Sequence, residues 1–367
     1  MDNSNKKRIL YINYIDLSSS ATSGSGVRPY RIYAEMKRAG HEVILLSGSQ
    51  AASDRPSLVK AAYEEIKKNK PDLCYIESPT YPILRHTDRR LIKRLYKMGI
   101  PTAYFYRDFY KKFPEQFPKR TSLTGRIKDF GLDLLQRLTD RVLRYCDIVY
   151  LPSEEAKKLF DYADMRTLPP AGENRIPESH TYSPTAIYVG GVSGHYDVTT
   201  LLEAFEELHS QNAEARLILV SRKDEWEALD VPQKNASWLE VRHLSGEALG
   251  ELYSRASVAL VVPNTKFEYN SFAVSVKVFE YMSYGLPVVT IDSAAMTRIV
   301  NTEKIGIVTS QGAEALKEGL ERLFGDAELY AEYRQNVREA LLTRNLWQHR
   351  VEKIVSELLE KKAEGNG

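Results

Sequence analysis

The chain has 367 residues, 43 % of them apolar, with 51 Lys or Arg against 49 Asp or Glu for a net charge of +2. That length exceeds one ordinary hydrophobic core and predicts two domains. The mixed composition, free of low-complexity tracts, excludes a disordered or fibrous chain. No apolar run is long enough to span a bilayer, and the start MDNSNKKRILYINYI lacks the apolar core and small-residue exit of a cleavable signal. A cytoplasmic location is therefore expected. Cys74 and Cys146 lie in apolar strand-like or helix-end contexts and read as buried free thiols rather than a disulfide or metal pair.

In chain order, KRILYINYI, HEVILL, DLCYIES, PTAYFY and DIVYLP read as buried strands, with helical segments near 28 to 39, 57 to 69, 86 to 98 and 124 to 146. This alternation predicts a parallel, doubly wound sheet. The loop LPPAGENRIPESHTYSP, rich in Pro, Gly and polar residues, reads as an interdomain linker over 169–184. Strands resume with TAIYVG, RLILVS, SWLEVR, VALVVP, PVVTI and GIVTS, again with helices between them. The expected class is α/β, with two Rossmann-like doubly wound parallel-sheet domains facing across a cleft. Their expected bounds are 1–168 and 185–345, followed by a charged terminal helix and tail over 346–367.

The most informative segment is FAVSVKVFEYMSYGLPVVT, from Phe272 to Thr290. Its apolar positions suit one side of a helix, Gly285 suits a left-handed cap, and Pro287 cannot continue the turn. PVVTI then reads as a strand covered on both faces. Lys277 and Glu280 lie three apart and share a helical face. Taken alone they are an ordinary ion pair on a half-exposed helix. At a helix start aimed at the carboxyl edge of a sheet, they suit a diphosphate and a ribose.

The run Lys, two residues, Glu-Tyr-Met, then Gly-x-Pro-Val-Val resembles the donor-binding helix of bacterial glycosyltransferases with the GT-B fold, of the retaining group 1, family 4-like kind. The resemblance implies that Glu280 accepts hydrogen bonds from both ribose hydroxyls, and that the last helix crosses back to the first domain. The family's best-known signature also has a Glu eight positions earlier, where this chain has Phe272. That departure leaves the transferred sugar and the stereochemical outcome open. Tyr269 and Asn270, with Glu268 in the loop after VALVVP, are the substitute sugar contacts.

A dinucleotide fingerprint is absent. Gly24-Ser25-Gly26 lies about ten residues beyond the first strand, and the second strands end at Ser47 and at Ser221-Arg222 rather than at an acid. No Walker lysine motif occurs. Gly190 and Gly191, after the first strand of the second half, read instead as a phosphate loop, where a missing side chain lets backbone N–H groups approach a diphosphate. A tight turn with no ligand is the competing reading. Arg222, at the exit of the next strand, reads as a second phosphate clamp.

In the first half, SGSGVRPYRIYAEMKRAGHEV resembles the acceptor-side loop and first helix of these transferases. Gly24 and Gly26 free the loop, and Arg28 heads a helix whose dipole a cation opposes, so Arg28 is assigned to an acceptor or phosphate contact. Asp108, beside Arg107 at the end of a strand, is the first candidate for a general base, with Glu77 second and Asp16 third. An Arg107–Asp108 pair that only organises its loop stays open.

No Asp-x-Asp triplet occurs, so metal dependence is not expected, and charge relief for the leaving diphosphate falls to Lys277, the helix start and Arg222. The co-substrate expected is a UDP- or GDP-linked sugar, with no separate cofactor, and the acceptor a glycan or lipid-linked hydroxyl. From Arg85 to Lys128 thirteen Lys or Arg face three Asp or Glu, interleaved with Tyr96, Phe109, Tyr110, Phe113 and Phe117. Such a patch fits an inner-membrane surface; nucleic acid is not expected, since no recognised binding motif accompanies the charge. A sugar-nucleotide epimerase and a non-catalytic partner subunit of the same fold are the alternatives.

Overall fold

The computed structural model describes residues 6–17, 26–113, 115 and 118–364. Gly24 and Phe117 lie outside them. The chain forms two compact units, Met1–Pro169 with Trp347–Gly367, and Pro170–Leu346. The first contains β1 (Arg8–Ile12), α1 (Val27–Arg38), β2 (Glu42–Leu46), α2 (Arg55–Lys68), β3 (Leu73–Glu77), α3 (His86–Lys97), β4 (Thr102–Phe105), α4 (Leu123–Leu143), β5 (Ile148–Leu151), α5 (Glu154–Lys157) and β6 (Met165–Thr167). The second contains β7 (Thr185–Val189), α6 (Val198–Gln211), β8 (Arg216–Val220), α7 (Lys223–Ala228), β9 (Leu239–Arg242), α8 (Gly250–Arg255), β10 (Val258–Val261), α9 (Val276–Ser283), β11 (Val288–Ile291), α10 (Ala294–Glu303), β12 (Gly306–Thr309), α11 (Ala313–Gly325) and α12 (Ala327–Arg344). The last helix, α13 (Trp347–Glu364), packs on α1, β3 and β4 of the first unit.

Each unit has a six-stranded sheet, in the order β2-β1-β3-β4-β5-β6 and β12-β11-β10-β7-β8-β9. Every pairing is parallel. The central strands are buried along their whole length, as LCYIE in β3 and VALV in β10 illustrate. Helices covering both faces of a parallel sheet account for such unbroken runs. In each unit the chain enters the middle of the sheet, builds one side and returns to build the other. The order therefore reverses between β1 and β3, and between β7 and β10, the kind of crevice where open α/β sheets take ligands.

Two features were not legible in the sequence. The edge strand β6 has three half-buried residues and no apolar run. The stretch expected as a linker is bonded to the second unit: the amides of Glu173 and Arg175 donate to the hydroxyl and carbonyl oxygens of Ser283, at 2.9 and 3.0 Å. Tyr182 donates to the Phe324 carbonyl at 2.6 Å. Within the same stretch, His180 Nε2 lies 3.3 Å from Ser257 Oγ and 3.1 Å from the Tyr330 hydroxyl.

Burial, with Arg334 nearby, holds the His180 pKa below the usual histidine value. The unfolded chain therefore binds the proton more readily than the fold. The stability tied to neutral His180 is complete above about pH 6.5 and is lost as pH falls below it. His180→Asn is expected to flatten the acid limb of a melting-temperature profile between pH 7 and 5. An unchanged limb would remove His180 from that account.

The first unit also holds an internal ion pair. Arg55, fully buried at the start of α2, donates through Nε and Nη2 to Asp88 Oδ1 at 3.0 and 2.8 Å. Its Nη1 donates to the carbonyls of Asn13 and Gly48, at 3.1 and 3.0 Å. The guanidinium carbon lies 4.6 Å from the Tyr14 ring centre. A desolvated guanidinium thus joins the carboxyl ends of β1 and β2 to the first turn of α3.

Candidate functional site

In the second unit the crevice between β7 and β10 is fixed by one hydroxyl. Tyr281, fully buried in α9, accepts from the Val189 amide at 3.1 Å and donates to the Leu260 carbonyl at 3.2 Å. Val189 is the last residue of β7, beyond the final β7–β10 partner pair, Tyr188 and Leu260. The strands part there, and the phenol supplies the partner that the ladder no longer provides. Tyr281→Phe would leave two buried backbone groups short of a partner, and is expected to destabilise the protein by about 1–3 kcal/mol. Chemical denaturation measures the loss, and a value near zero would mean that the strands re-pair or that water enters.

The loop after β7 is glycine-rich for packing reasons. A side chain on Gly191 would come within 2.7 Å of the Tyr196 ring and 3.1 Å of Glu225 Oε2. Gly190 donates its amide to the Val220 carbonyl at 3.0 Å, and Val192 donates to Glu225 Oε2 at 3.1 Å. A carboxylate from α7 therefore holds one amide of the loop expected to cradle phosphate. The other oxygen of Glu225 takes Arg222 at 3.0 Å, and the Arg222 side chain is 80 % exposed. Arg222 stands at the expected sheet edge, but its partner here is a protein carboxylate. Sequence reasoning passed over Glu225, whose only signal was its (i, i+3) spacing from Arg222.

Asn270 and Tyr269 sit in the turn after β10. The Asn270 amide donates to the carbonyls of His195 and Asn264, both at 2.9 Å. Asn264 in turn donates to the Gly194 carbonyl at 2.9 Å. These bonds tie the turn to the loop after β7, so Asn270 braces backbone with the group expected to meet a sugar. The Tyr269 carbonyl accepts the amides of Phe272 and Ala273, at 3.0 and 3.1 Å. Phe272, half-buried, ends that turn.

At the head of α9 the Ser275 hydroxyl accepts from the Lys277 amide at 3.3 Å. Lys277 Nζ meets Glu280 Oε2 at 2.7 Å, with the two side chains 33 % and 29 % exposed. A cation and a carboxylate thus share one half-buried face of α9 and are bonded to each other. The buried phenol of Tyr253 is held well above its ordinary pKa, first by burial and next by the Glu280 charge. Gly285 ends the helix with φ 73°, the left-handed cap the sequence called for.

In the first unit the structure joins two residues that the sequence had assigned separately. Arg28, at the start of α1, is 5 % exposed, and its Nε donates to Glu77 Oε1 at 3.0 Å. Its other nitrogens reach the Tyr75 hydroxyl at 3.3 Å and the Pro169 carbonyl at 3.2 Å, and its guanidinium lies 3.6 Å from the Phe105 ring centre. The Tyr75 hydroxyl also donates to Glu77 Oε1, at 2.7 Å. Arg28 is thus turned into the unit, where it balances a buried carboxylate. Glu77 is 1 % exposed, and its Oε2 has no partner among the described residues. Gly26 precedes α1 with φ −90°, a conformation open to any residue, so its glycine freedom is not used.

Arg107 and Asp108 follow β4. Arg107 Nε meets Asp108 Oδ2 at 2.8 Å, its Nη2 reaches Thr80 Oγ1 at 2.9 Å, and its amide donates to Ser78 Oγ at 3.0 Å. The pair lies at the carboxyl edge, as expected, and organises its own loop. Asp16 is exposed after β1. The aromatic part of the basic stretch needs correction: Phe109 and Phe113 are each 2 % exposed and face the core, whereas Tyr96 on α3 is exposed, its ring tilted against Tyr145 at 5.2 Å. Phenylalanines in a loop without period carry no sequence signal for which way they face. Among the described residues no group of three or more His, Cys, Asp or Glu is placed to hold a metal, and no helix is long and apolar enough to cross a membrane.

With this geometry in hand, comparison with solved structures is decisive for the architecture. A glycosyltransferase from Rickettsia africae superposes over 97 % of this chain and 98 % of its own with a TM-score of 0.65 at 13 % identity. HepE from Anabaena, solved in complex with UDP, does so over 96 % and 100 % with a TM-score of 0.65 at 12 % identity. WaaG, a glycosyltransferase involved in lipopolysaccharide biosynthesis, covers 96 % and 99 % with a TM-score of 0.56 at 16 % identity. The fold is GT-B. Residues 183–326 of this GT-B chain match the family model described as glycosyl transferases group 1. That span includes the loop after β7, Arg222 and all of α9, and places glycosyl transfer as the general class of activity. Comparison with curated proteins gives no match.

Proposed function

We propose that this GT-B chain transfers a glycosyl group from a nucleoside diphosphate sugar, UDP- or GDP-linked, to an acceptor hydroxyl. The observation that carries the reading is the half-buried Lys277–Glu280 pair at the head of α9, on the helix whose Tyr281 is bonded to the end of β7. HepE, similar in fold, has been solved with UDP and with UDP-glucose. In this reading Glu280 accepts from the ribose hydroxyls, and Lys277 with the helix start relieves charge on the departing diphosphate, without a metal ion. Arg222 joins them by leaving Glu225, and the loop at Gly190 and Gly191 lies against the phosphates. Tyr269 is left to meet the sugar, since the Asn270 amide is spent on backbone.

On the acceptor side Asp108 is the proposed base, drawing on the Arg107 guanidinium that already holds its carboxylate, with Glu77 as the second choice. The acceptor proposed is a glycan or lipid-linked hydroxyl, in polysaccharide or glycolipid assembly at the cytoplasmic face of a membrane. Any membrane contact made by the stretch 85–128 would rest on its cations and on the exposed Tyr96, Leu123 and Ile127, because Phe109 and Phe113 are buried. Phe272, in place of the family's carboxylate, favours a second reading in which the chain binds nucleotide but does not turn over.

The test is a thermal-shift panel of UDP-, GDP- and CMP-sugars, followed by product analysis with and without a glycolipid acceptor. Stabilisation by one nucleotide and donor consumption only with acceptor are expected. No shift with any donor would sink the reading. Donor rearrangement without acceptor would make the chain an epimerase, and binding without turnover would make it a partner subunit.

A further inference from the structure

Helix α4 carries an apolar stripe that no part of the described structure covers. Leu123 is 74 % exposed, Ile127 63 %, Phe130 72 % and Leu134 50 %. Their spacing of four, three and four places all of them within about 60° of arc on one helical face. Isolated exposed apolar residues are ordinary, but a contiguous stripe of four long ones on a single helix marks a contact surface.

The surrounding charge narrows what it contacts. Between Lys111 and Arg144 there are nine Lys or Arg against four Asp or Glu. Two of the acids are already paired, Asp129 with Arg120 at 2.9 Å and Asp133 with Lys111 at 2.7 Å, while Asp140 accepts from Gln136 and Tyr162. Arg126, Lys128, Arg137 and Arg141 are exposed and carry no ion pair among the described residues. Arg126 and Arg137 lie along one margin of the stripe, about 50° to 70° from its centre line. A second copy is disfavoured, because an isologous contact lays the same patch against itself and would bring these guanidinium groups together.

We propose that α4 is an interfacial helix that lays Leu123, Ile127, Phe130 and Leu134 into the surface of an anionic lipid bilayer, with Arg126 and Arg137 at the headgroups. An apolar face with a basic margin is the pattern of helices that lie in the plane of a membrane. The inference stands without the nucleotide-sugar reading. It bears on that reading through Gln136, on the same helix, which donates at 2.8 Å to the Tyr106 hydroxyl next to Arg107 and Asp108. The lipid surface would then lie close to the proposed acceptor side.

The test is co-sedimentation of the full chain with phosphatidylcholine vesicles containing none or about a third phosphatidylglycerol, at low and high salt. Binding to the anionic vesicles alone, reduced by salt, is expected. Phe130→Asp is expected to weaken it at least about tenfold, and Arg126→Glu with Arg137→Glu to a similar degree. Melting temperatures should be unchanged, because these side chains are exposed. A Phe130→Trp variant, used as a second readout, should shift its emission to the blue on anionic vesicles. Failure of the wild type to bind, or equal binding by Phe130→Asp, would overturn the proposal. So would self-association that Phe130→Asp abolishes in a chain that ignores vesicles, which would assign the stripe to a second copy.

Discussion

Asp88→Ala is expected to lower the unfolding free energy by about 3–5 kcal/mol, because it strands the Arg55 guanidinium in the interior. Arg55 is fully buried and Asp88 is 2 % exposed, so water cannot take the place of the carboxylate. The two carbonyls that Arg55 also meets are neutral and cannot balance its charge. Urea denaturation should show a lower midpoint at an unchanged slope. The double replacement Arg55→Met with Asp88→Leu should recover much of the loss, since removing both charges removes the desolvation cost. A single-variant loss below about 1 kcal/mol would put the pair in the class of solvated surface pairs.

Glu280→Ala should separate a ligand role from an ordinary helical pair. An (i, i+3) pair as exposed as Lys277–Glu280 stabilises a helix by only about 0.3–0.5 kcal/mol, so the melting temperature of the free protein should barely move. Hydrogen bonds to a charged group contribute about 1.5–3 kcal/mol. Losing those to a ribose should therefore weaken nucleotide binding roughly tenfold to 150-fold. Lys277→Ala should weaken UDP far more than uridine, because the ammonium group is assigned to phosphate. Calorimetric titration of both ligands decides the matter: equal losses would remove Lys277 from the phosphate site, and unchanged UDP affinity in Glu280→Ala would reduce the pair to surface decoration.

The strands were legible because parallel strands covered on both faces must be apolar throughout, and β3, β4, β5, β10 and β11 are buried along their whole length. β6 was not, because an edge strand of three half-buried residues needs no such run. The face shared by Lys277 and Glu280 was legible because helical spacing fixes it within one turn. Phe109 and Phe113 read as surface aromatics and proved to be core, since an irregular loop has no period to assign a direction.

Long-range partners lay beyond the sequence. Arg28 looked available for a ligand because its neighbours in the chain are a helix start and a proline. Its carboxylate partner, Glu77, comes from a strand that only the tertiary fold places beneath it. Likewise Glu225 was an ordinary surface acid until α7 brought it onto the Val192 amide.

By itself the sequence determined the alternation of strands and helices, the parallel sheets, the cap at Gly285 and the shared face of Lys277 and Glu280. Each follows from steric and periodic rules acting over a few residues. Only the tertiary structure decided which charges are buried against one another, which loop amides are already bonded, and that α4 turns its apolar stripe outward. Those outcomes depend on groups far apart in the chain competing for the same few partners and for shelter from water, and local pattern carries no record of who wins.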